Sequence, residues 1–310
     1  MIVTVTLNPA LDKTIILSDF KLGQTNRVKE VREDIGGKGI NVSKVVAELG
    51  GDTTALGLLG GKNGKLIVDK LDVLNISSSF TWIEAETRTN LKLVDLAQNK
   101  ETEINELGPA IKNSALDELR KSLLQTVETG DFVVLTGSLP PNTPENIYQQ
   151  LIIECKNKGV KVILDTSNQP LAAGIEANPY LVKPNLSELE LLAKKKLESL
   201  TEIIEVGERI YQQGVEIVVV SLGAEGAVVI SRAGTWKLTS PIVEVRSSVG
   251  AGDTLVGALA LRLNQQQSLK EAVRYAVAAS ANTVTKAGTQ ICNKDELEQL
   301  LAQVVIEELS

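Results

Sequence analysis

The chain has 310 residues, 43% of them hydrophobic and 23% charged, with a net charge of −7 and no histidine. These proportions describe a globular protein with a large aliphatic core, and the acidic balance, with no basic stripe interleaved with aromatics, argues against nucleic acid as a partner. Without histidine there is no imidazole zinc site and no serine–histidine triad, so proton transfer falls to a carboxylate, lysine, tyrosine or cysteine. The two cysteines, Cys155 and Cys292, stand far apart in no metal-binding spacing and are expected as reduced core residues. The opening stretch MIVTVTLNP carries no signal-peptide pattern and no apolar run reaches bilayer-spanning length, so the expectation is a cytoplasmic protein with no membrane partner.

In chain order, Ile2 to Leu7 predicts a strand buried on both faces, because its apolar character is nearly continuous. Residues 14–34 instead alternate polar and apolar around the turn LGQTN, as antiparallel strands with one exposed face do. A helix at 38–49, a strand at 53–59 and a helix at 64–74 follow, and then a second alternating segment, 87–105, around LAQNK. Beyond it the spacing predicts helices at 114–127, 143–158 and 201–213 and strands at 131–136, 160–165, 180–183 and 216–221. Three helices, 252–264, 268–285 and 293–307, close the chain. This alternation implies an α/β fold with a mostly parallel sheet between two helical layers, joined by right-handed crossovers. The alternating segments are expected to form a small projecting sheet inserted into one domain of residues 1–310. Its apolar face needs a cover, from substrate, a second subunit or both.

In such a sheet, ligands bind beyond the carboxyl ends of the strands. The residues there are Asn8 to Asp12, Gly137 and Ser138, Asp165, Lys183 to Asn185, and Ser221 to Gly223, a set for which turn chemistry accounts only in part. In IGGKGINVS, Gly36, Gly37 and Gly39 precede a helix whose N-terminus favours an anion or polar hydroxyls. The pattern is neither a Walker A loop nor a dinucleotide fingerprint. In SSVGAGD, the N–H groups of Gly250, Ala251 and Gly252 lead to Asp253 at a helix start. A cap explains the acid but not the small residues before it. An anion hole beside a proton acceptor explains both, and phosphoryl transfer to an alcohol uses that pair.

With GGKGINVS, TGSLPP, KPNLSE and SSVGAGD in this order, the chain resembles the ribokinase-like, PfkB-type sugar kinases along its whole length. The resemblance implies a three-layer α/β/α sandwich with a β-sheet lid, and transfer of the ATP γ-phosphoryl group to a sugar hydroxyl with Mg²⁺. It implies Asp253 as catalytic base and Gly250, Ala251 and Gly252 as the anion hole. Asp12, Gly36, Gly37, Lys38 and Asn41 become sugar contacts. Arg27, Arg88 and Lys38 supply cations for a phosphate already on the substrate, and Ser138 adds a hydroxyl; Arg27 reaches into the neighbouring subunit of a homodimer formed through the lid. On the nucleotide side stand Lys183, Asn185, Ser221, Gly223, Gly226 and Asn282, with Asn185 and Glu188 organising Mg²⁺ through water. Some members add a monovalent cation such as K⁺.

TLNPALDKT and TRTNLKL are most similar to the phosphosugar branch, so a phosphorylated ketohexose is implied as substrate. Fructose 1-phosphate, as used by 1-phosphofructokinases, comes first; tagatose-6-phosphate kinases and then 6-phosphofructokinases follow. Blander readings are Asp253 as a cap, Lys38 as a solvated charge, Arg27 as a lid surface residue and Glu188 as a first-turn acid. The reading from a different class is a non-catalytic phosphosugar sensor, and a nicotinamide oxidoreductase would need the GxGxxG fingerprint that is missing.

Overall fold

A computed structural model describes residues 1–309. Chain order is β1 (Ile2–Thr6), β2 (Ala10–Leu17), β3 (Val28–Gly36), α1 (Lys38–Glu48), β4 (Thr53–Gly60), α2 (Gly61–Val73), β5 (Ser77–Ile83), β6 (Arg88–Asp95) and β7 (Lys100–Asn105). Then come α3 (Asn113–Thr126), β8 (Phe132–Thr136), α4 (Ile147–Asn157), β9 (Lys161–Asp165), α5 (Asn168–Glu176), β10 (Leu181–Val182), α6 (Leu186–Ala193), α7 (Leu200–Gln212) and β11 (Ile217–Ser221). The last elements are β12 (Ala227–Ser231), β13 (Gly234–Thr239), α8 (Ala251–Asn264), α9 (Leu269–Val284), α10 (Leu297–Leu301) and β14 (Val305–Glu308).

The main sheet has ten strands in the order β14-β13-β12-β11-β10-β9-β8-β1-β4-β5, parallel from β11 to β5 and antiparallel at the other edge. Its strands are buried on both faces: Val133 and Leu135 enter one core with Leu123, Tyr148 and Leu151, while Phe132 and Val134 enter the other with Val45, Val256 and Leu259. The two-residue period thus sends alternate side chains into opposite helical layers. From β1 the chain moves outward through β4 to β5, and from β8 outward the other way through β9 and β10. The crevice at the carboxyl ends of β1 and β8 is therefore the topological switch point. On one face α1 and α8 cross closely, where a Cβ on Gly257 would lie 2.9 Å from Val45 Cγ1.

The small sheet has the order β3-β2-β6-β7 and rises from the two alternating segments, beginning at Ala10 rather than residue 14 because β2 pairs with β6 from Ala10–Arg88 onward. Register and alternation put Asp12 and Asn90 on one face and Ile15, Val31, Leu91, Leu93 and Ile104 on the other.

The six parallel strands expected from sequence are all present, and β5 extends the parallel set at the edge. The expected helix at 293–307 is replaced by a 3₁₀ turn (Lys294–Glu296), the short α10 and the edge strand β14, which pairs with β13. Strands β5, β12 and β13 and helices α5 and α6 lie outside the expected elements. No helix among the described residues is long and apolar enough to cross a membrane. Both thiols are free and buried, and burial pushes each up to about 12, as reduced core residues require.

Candidate active site

Two helix N-termini, α1 and α8, meet at the switch point. Gly37 caps α1. Glycine is demanded beside it for space: a Cβ on Gly39 would lie 2.3 Å from Thr6 Oγ1, and one on Gly36 would lie 2.0 Å from Asp12 Oδ2. The GGKG run thus lets α1 start hard against the end of β1 and clears room for a carboxylate from β2.

At the second N-terminus, Gly250 takes a left-handed conformation with φ 79° and turns the chain into α8. Ala251 N–H donates to Ser248 O at 3.4 Å and Thr254 N–H to Gly250 O at 2.8 Å, while among the described residues the N–H groups of Gly250, Gly252 and Asp253 have no acceptor. Two of the three expected donors, Gly250 and Gly252, are therefore free, and Asp253 N–H adds a third. Asp253 is 7% exposed, and Asn41 of α1 donates to its Oδ2 at 2.9 Å. Burial raises its carboxyl to about 6, with nearby Asp165 adding to the rise, while Lys38, Asn41 and Lys183 pull against it. That value places the group near neutrality, where a general base works best.

Asp165, at the end of β9, sits beneath the site with 0% exposure. Lys183 Nζ lies 3.0 Å from one of its oxygens and Lys38 Nζ 3.3 Å from the other, which also accepts from Thr136 Oγ1 at 3.1 Å. Burial works against its ionisation, but Lys183 and Lys38 outweigh it and hold the carboxyl below the usual range. Asp165 in turn is the main reason Lys38 stays firmly protonated. The sequence places Asp165 among the strand ends without a role; its buried position between Lys183, after β10, and Lys38, which opens α1, emerges only in three dimensions. Lys183 is 4% exposed, and a Cβ on Gly252 would lie 3.9 Å from its Nζ, so this lysine stands beside the N-terminus of α8.

At the lid, Asn90 donates to Asp12 Oδ1 at 2.9 Å, and Arg88, half-buried, donates through Nη1 to Glu106 O and through Nη2 to Asn8 O, leaving Nε unpaired. Ser138 is exposed at the end of β8, 3.5 Å from Asn8 Nδ2. Arg27 is not brought in: it is exposed just before β3, at the far end of the lid from Gly36, a strand of nine residues or roughly 30 Å away.

The residues expected on the nucleotide side line the next strand ends. Asn185 caps α6 in a reciprocal box: its side chain accepts from Glu188 N–H at 2.8 Å, and Glu188 Oε2 accepts from Asn185 N–H at 2.9 Å. Glu188 Oε1 keeps no partner among the described residues. Asn185 also bridges Ser221 at the end of β11. Gly223 opens a 3₁₀ turn, and a Cβ on Gly226, at φ 95°, would lie 1.9 Å from Leu238 O, so the backbone itself requires that glycine. The Asn282 amide is engaged at both ends, donating to Glu296 Oε2 at 2.9 Å and accepting from Asn293 N–H at 2.8 Å. It ties the segment after α9 to that helix.

The chain belongs to the pfkB family of carbohydrate kinases, whose family model matches residues 5–296. Within that family it is 34% identical to 1-phosphofructokinase of Borreliella burgdorferi over 310 residues, covering 100% of this chain and 99% of the relative. It is also 34% identical to 1-phosphofructokinase of Bacillus subtilis over 312 residues, with 100% of both chains covered. Among solved structures, phosphofructokinase-2 from Escherichia coli in complex with potassium superposes with a TM-score of 0.93 at 32% identity, covering 97% of this chain and 98% of that one.

Proposed function

We propose that the protein transfers the γ-phosphoryl group of ATP to the 6-hydroxyl of fructose 1-phosphate, forming fructose 1,6-bisphosphate and ADP. The observation that carries this reading is the buried Asp253 carboxylate, tuned to about 6 beside the unpaired N–H groups of Gly252 and Asp253. Asp253 takes the proton of the attacking hydroxyl. As the phosphoryl group moves, charge on its oxygens is met by those N–H groups and by Lys183 and Lys38. Asp12, Asn41 and the GGKG backbone hold the sugar; Arg88 and Ser138 meet its existing phosphate. Full-length likeness to two 1-phosphofructokinases supports the choice of sugar.

Asn185, Ser221 and Gly223 border the nucleotide. Mg²⁺ when bound neutralises charge on the nucleotide phosphates, and the free Glu188 Oε1, a hard oxygen donor at the rim of the cleft, suits an ion that keeps most of its water. A monovalent cation near the start of α8 is the finer part of the same reading, supported by the potassium of the Escherichia coli structure. The exposed side chains of Val31 and Ile104, on the lid face away from Asp12, support a homodimer through the lid, with Arg27 at that interface.

Comparing kcat/KM for fructose 1-phosphate, fructose 6-phosphate and tagatose 6-phosphate tests the assignment. Preference for fructose 1-phosphate by at least roughly tenfold is expected, a difference of about 1.4 kcal/mol in transition-state binding. Preference for tagatose 6-phosphate would favour the second reading, a tagatose-6-phosphate kinase, and preference for fructose 6-phosphate the third, a 6-phosphofructokinase, which likeness to the Escherichia coli phosphofructokinase-2 in complex with fructose-6-phosphate supports. No turnover of any of the three would leave a phosphosugar sensor.

A further inference from the structure

Asp12 and Asn90 face each other across the parallel β2–β6 pair, in direct register. A carboxylate oxygen only accepts hydrogen bonds, so the amide must present Nδ2 to Asp12 Oδ1, as it does at 2.9 Å. That orientation leaves Asn90 Oδ1 buried with no partner. A buried acceptor without a partner is a local disadvantage of about 1–3 kcal/mol in proteins generally, and an aliphatic or hydroxyl side chain on this strand would avoid it. A residue that breaks a local stability rule without structural gain points to function.

We propose that Asn90 is a positioning residue for sugar binding: its Nδ2 holds the Asp12 carboxyl aimed over Gly36, so that Asp12 Oδ2 accepts a hydroxyl of the substrate. The proposal rests on the sugar-phosphate reading above. Burial raises the Asp12 carboxyl, and the Asn90 bond is the foremost influence lowering it again, ahead of Lys44 of α1 and Arg88 of β6; Asp34, opposite on β3, raises it. Asn90 is thus what keeps a partly buried acid available as an acceptor.

The test compares wild type, Asn90→Ala and Asn90→Asp by KM and kcat from about pH 5 to 9, using whichever ketohexose phosphate the wild type turns over, with the melting temperature recorded alongside. For Asn90→Ala, KM for the sugar phosphate rises roughly tenfold to a hundredfold, as loss of a hydrogen bond to a charged group predicts. Its acid limb moves to higher pH, kcat changes little and the melting temperature holds or rises. Asn90→Asp has the same shape but no donor until it binds a proton; two facing carboxyls then share that proton. Its KM is therefore poor at high pH and improves as pH falls, opposite to Asn90→Ala, and it keeps the test alive if the alanine variant does not fold. Unchanged KM in both variants, or losses that are equal at every pH and track a lowered melting temperature, would overturn the role of Asn90 while leaving the kinase reading intact. Failure of the wild type on every sugar phosphate would overturn both.

Discussion

Replacing Asp253 by asparagine should inactivate the protein and stabilise it at the same time. The carboxyl titrates at 3.8 in the unfolded chain and at about 6 in the folded one, which corresponds to about 3 kcal/mol of preference for the neutral form inside the fold. Between those two pH values the folded state binds more protons than the unfolded state, so this group's contribution to stability is fully present below 3.8 and is lost as pH rises through about 6. At about pH 8 the wild type carries that disadvantage in full. The asparagine of the Asp253→Asn variant is neutral, isosteric and still able to accept from Asn41, so urea unfolding of the ligand-free protein at about pH 8 should show the variant more stable by up to about 3 kcal/mol, with the difference closing near about pH 4. Turnover should fall by roughly 10²-fold or more, while KM for ATP changes only a few-fold. Equal or lower stability of the variant at that alkaline pH, or kcat preserved within about threefold, would refute the account of Asp253 as a strained base and return it to a helix cap.

Arg88→Ala should raise KM for the sugar phosphate by roughly tenfold to a hundredfold with little effect on kcat, since its guanidinium serves binding rather than chemistry; an unchanged KM would place the substrate phosphate elsewhere. Asp165→Asn leaves the buried Lys183 ammonium without its counterion and should destabilise the fold by roughly 3–5 kcal/mol, along with a large loss of kcat. The depressed Asp165 carboxyl has the opposite sign to Asp253: its stabilisation is present above the ordinary carboxylate range and disappears as pH falls through its lower folded value. Denaturation of Asp165→Asn near neutral pH checks this, and an undiminished midpoint would refute it.

The parallel core was legible in the sequence because strands covered on both faces must be apolar along their whole length, as in IVTVT and FVVLT. Asp253 was legible too, since small residues and an acid opening a helix are a local arrangement with local chemistry. The edge strand β14 was not: VIEE owes its conformation to β13 rather than to its own period, and a helical pattern over the preceding residues absorbed it. The serine-rich β5 was hidden for the same reason, as an edge strand whose pairing with β4 lies outside its own residues.

Within the site, the same division holds. Which residue types stand at the strand ends was determined by the sequence alone, and so was the absence of an imidazole, which leaves proton transfer to a carboxylate, lysine, tyrosine or cysteine. Tertiary structure decided who partners whom: Asn41 reaches Asp253 across 212 residues, Lys38 reaches Asp165 across 127, and Asn90 reaches Asp12 across 78. It also tied Asn282 to Glu296 and Asn293 and left Arg27 at the far end of the lid. Charge, burial and hydrogen-bond direction act over a few ångströms in space, and only the folded sheet brings those distant residues within that range.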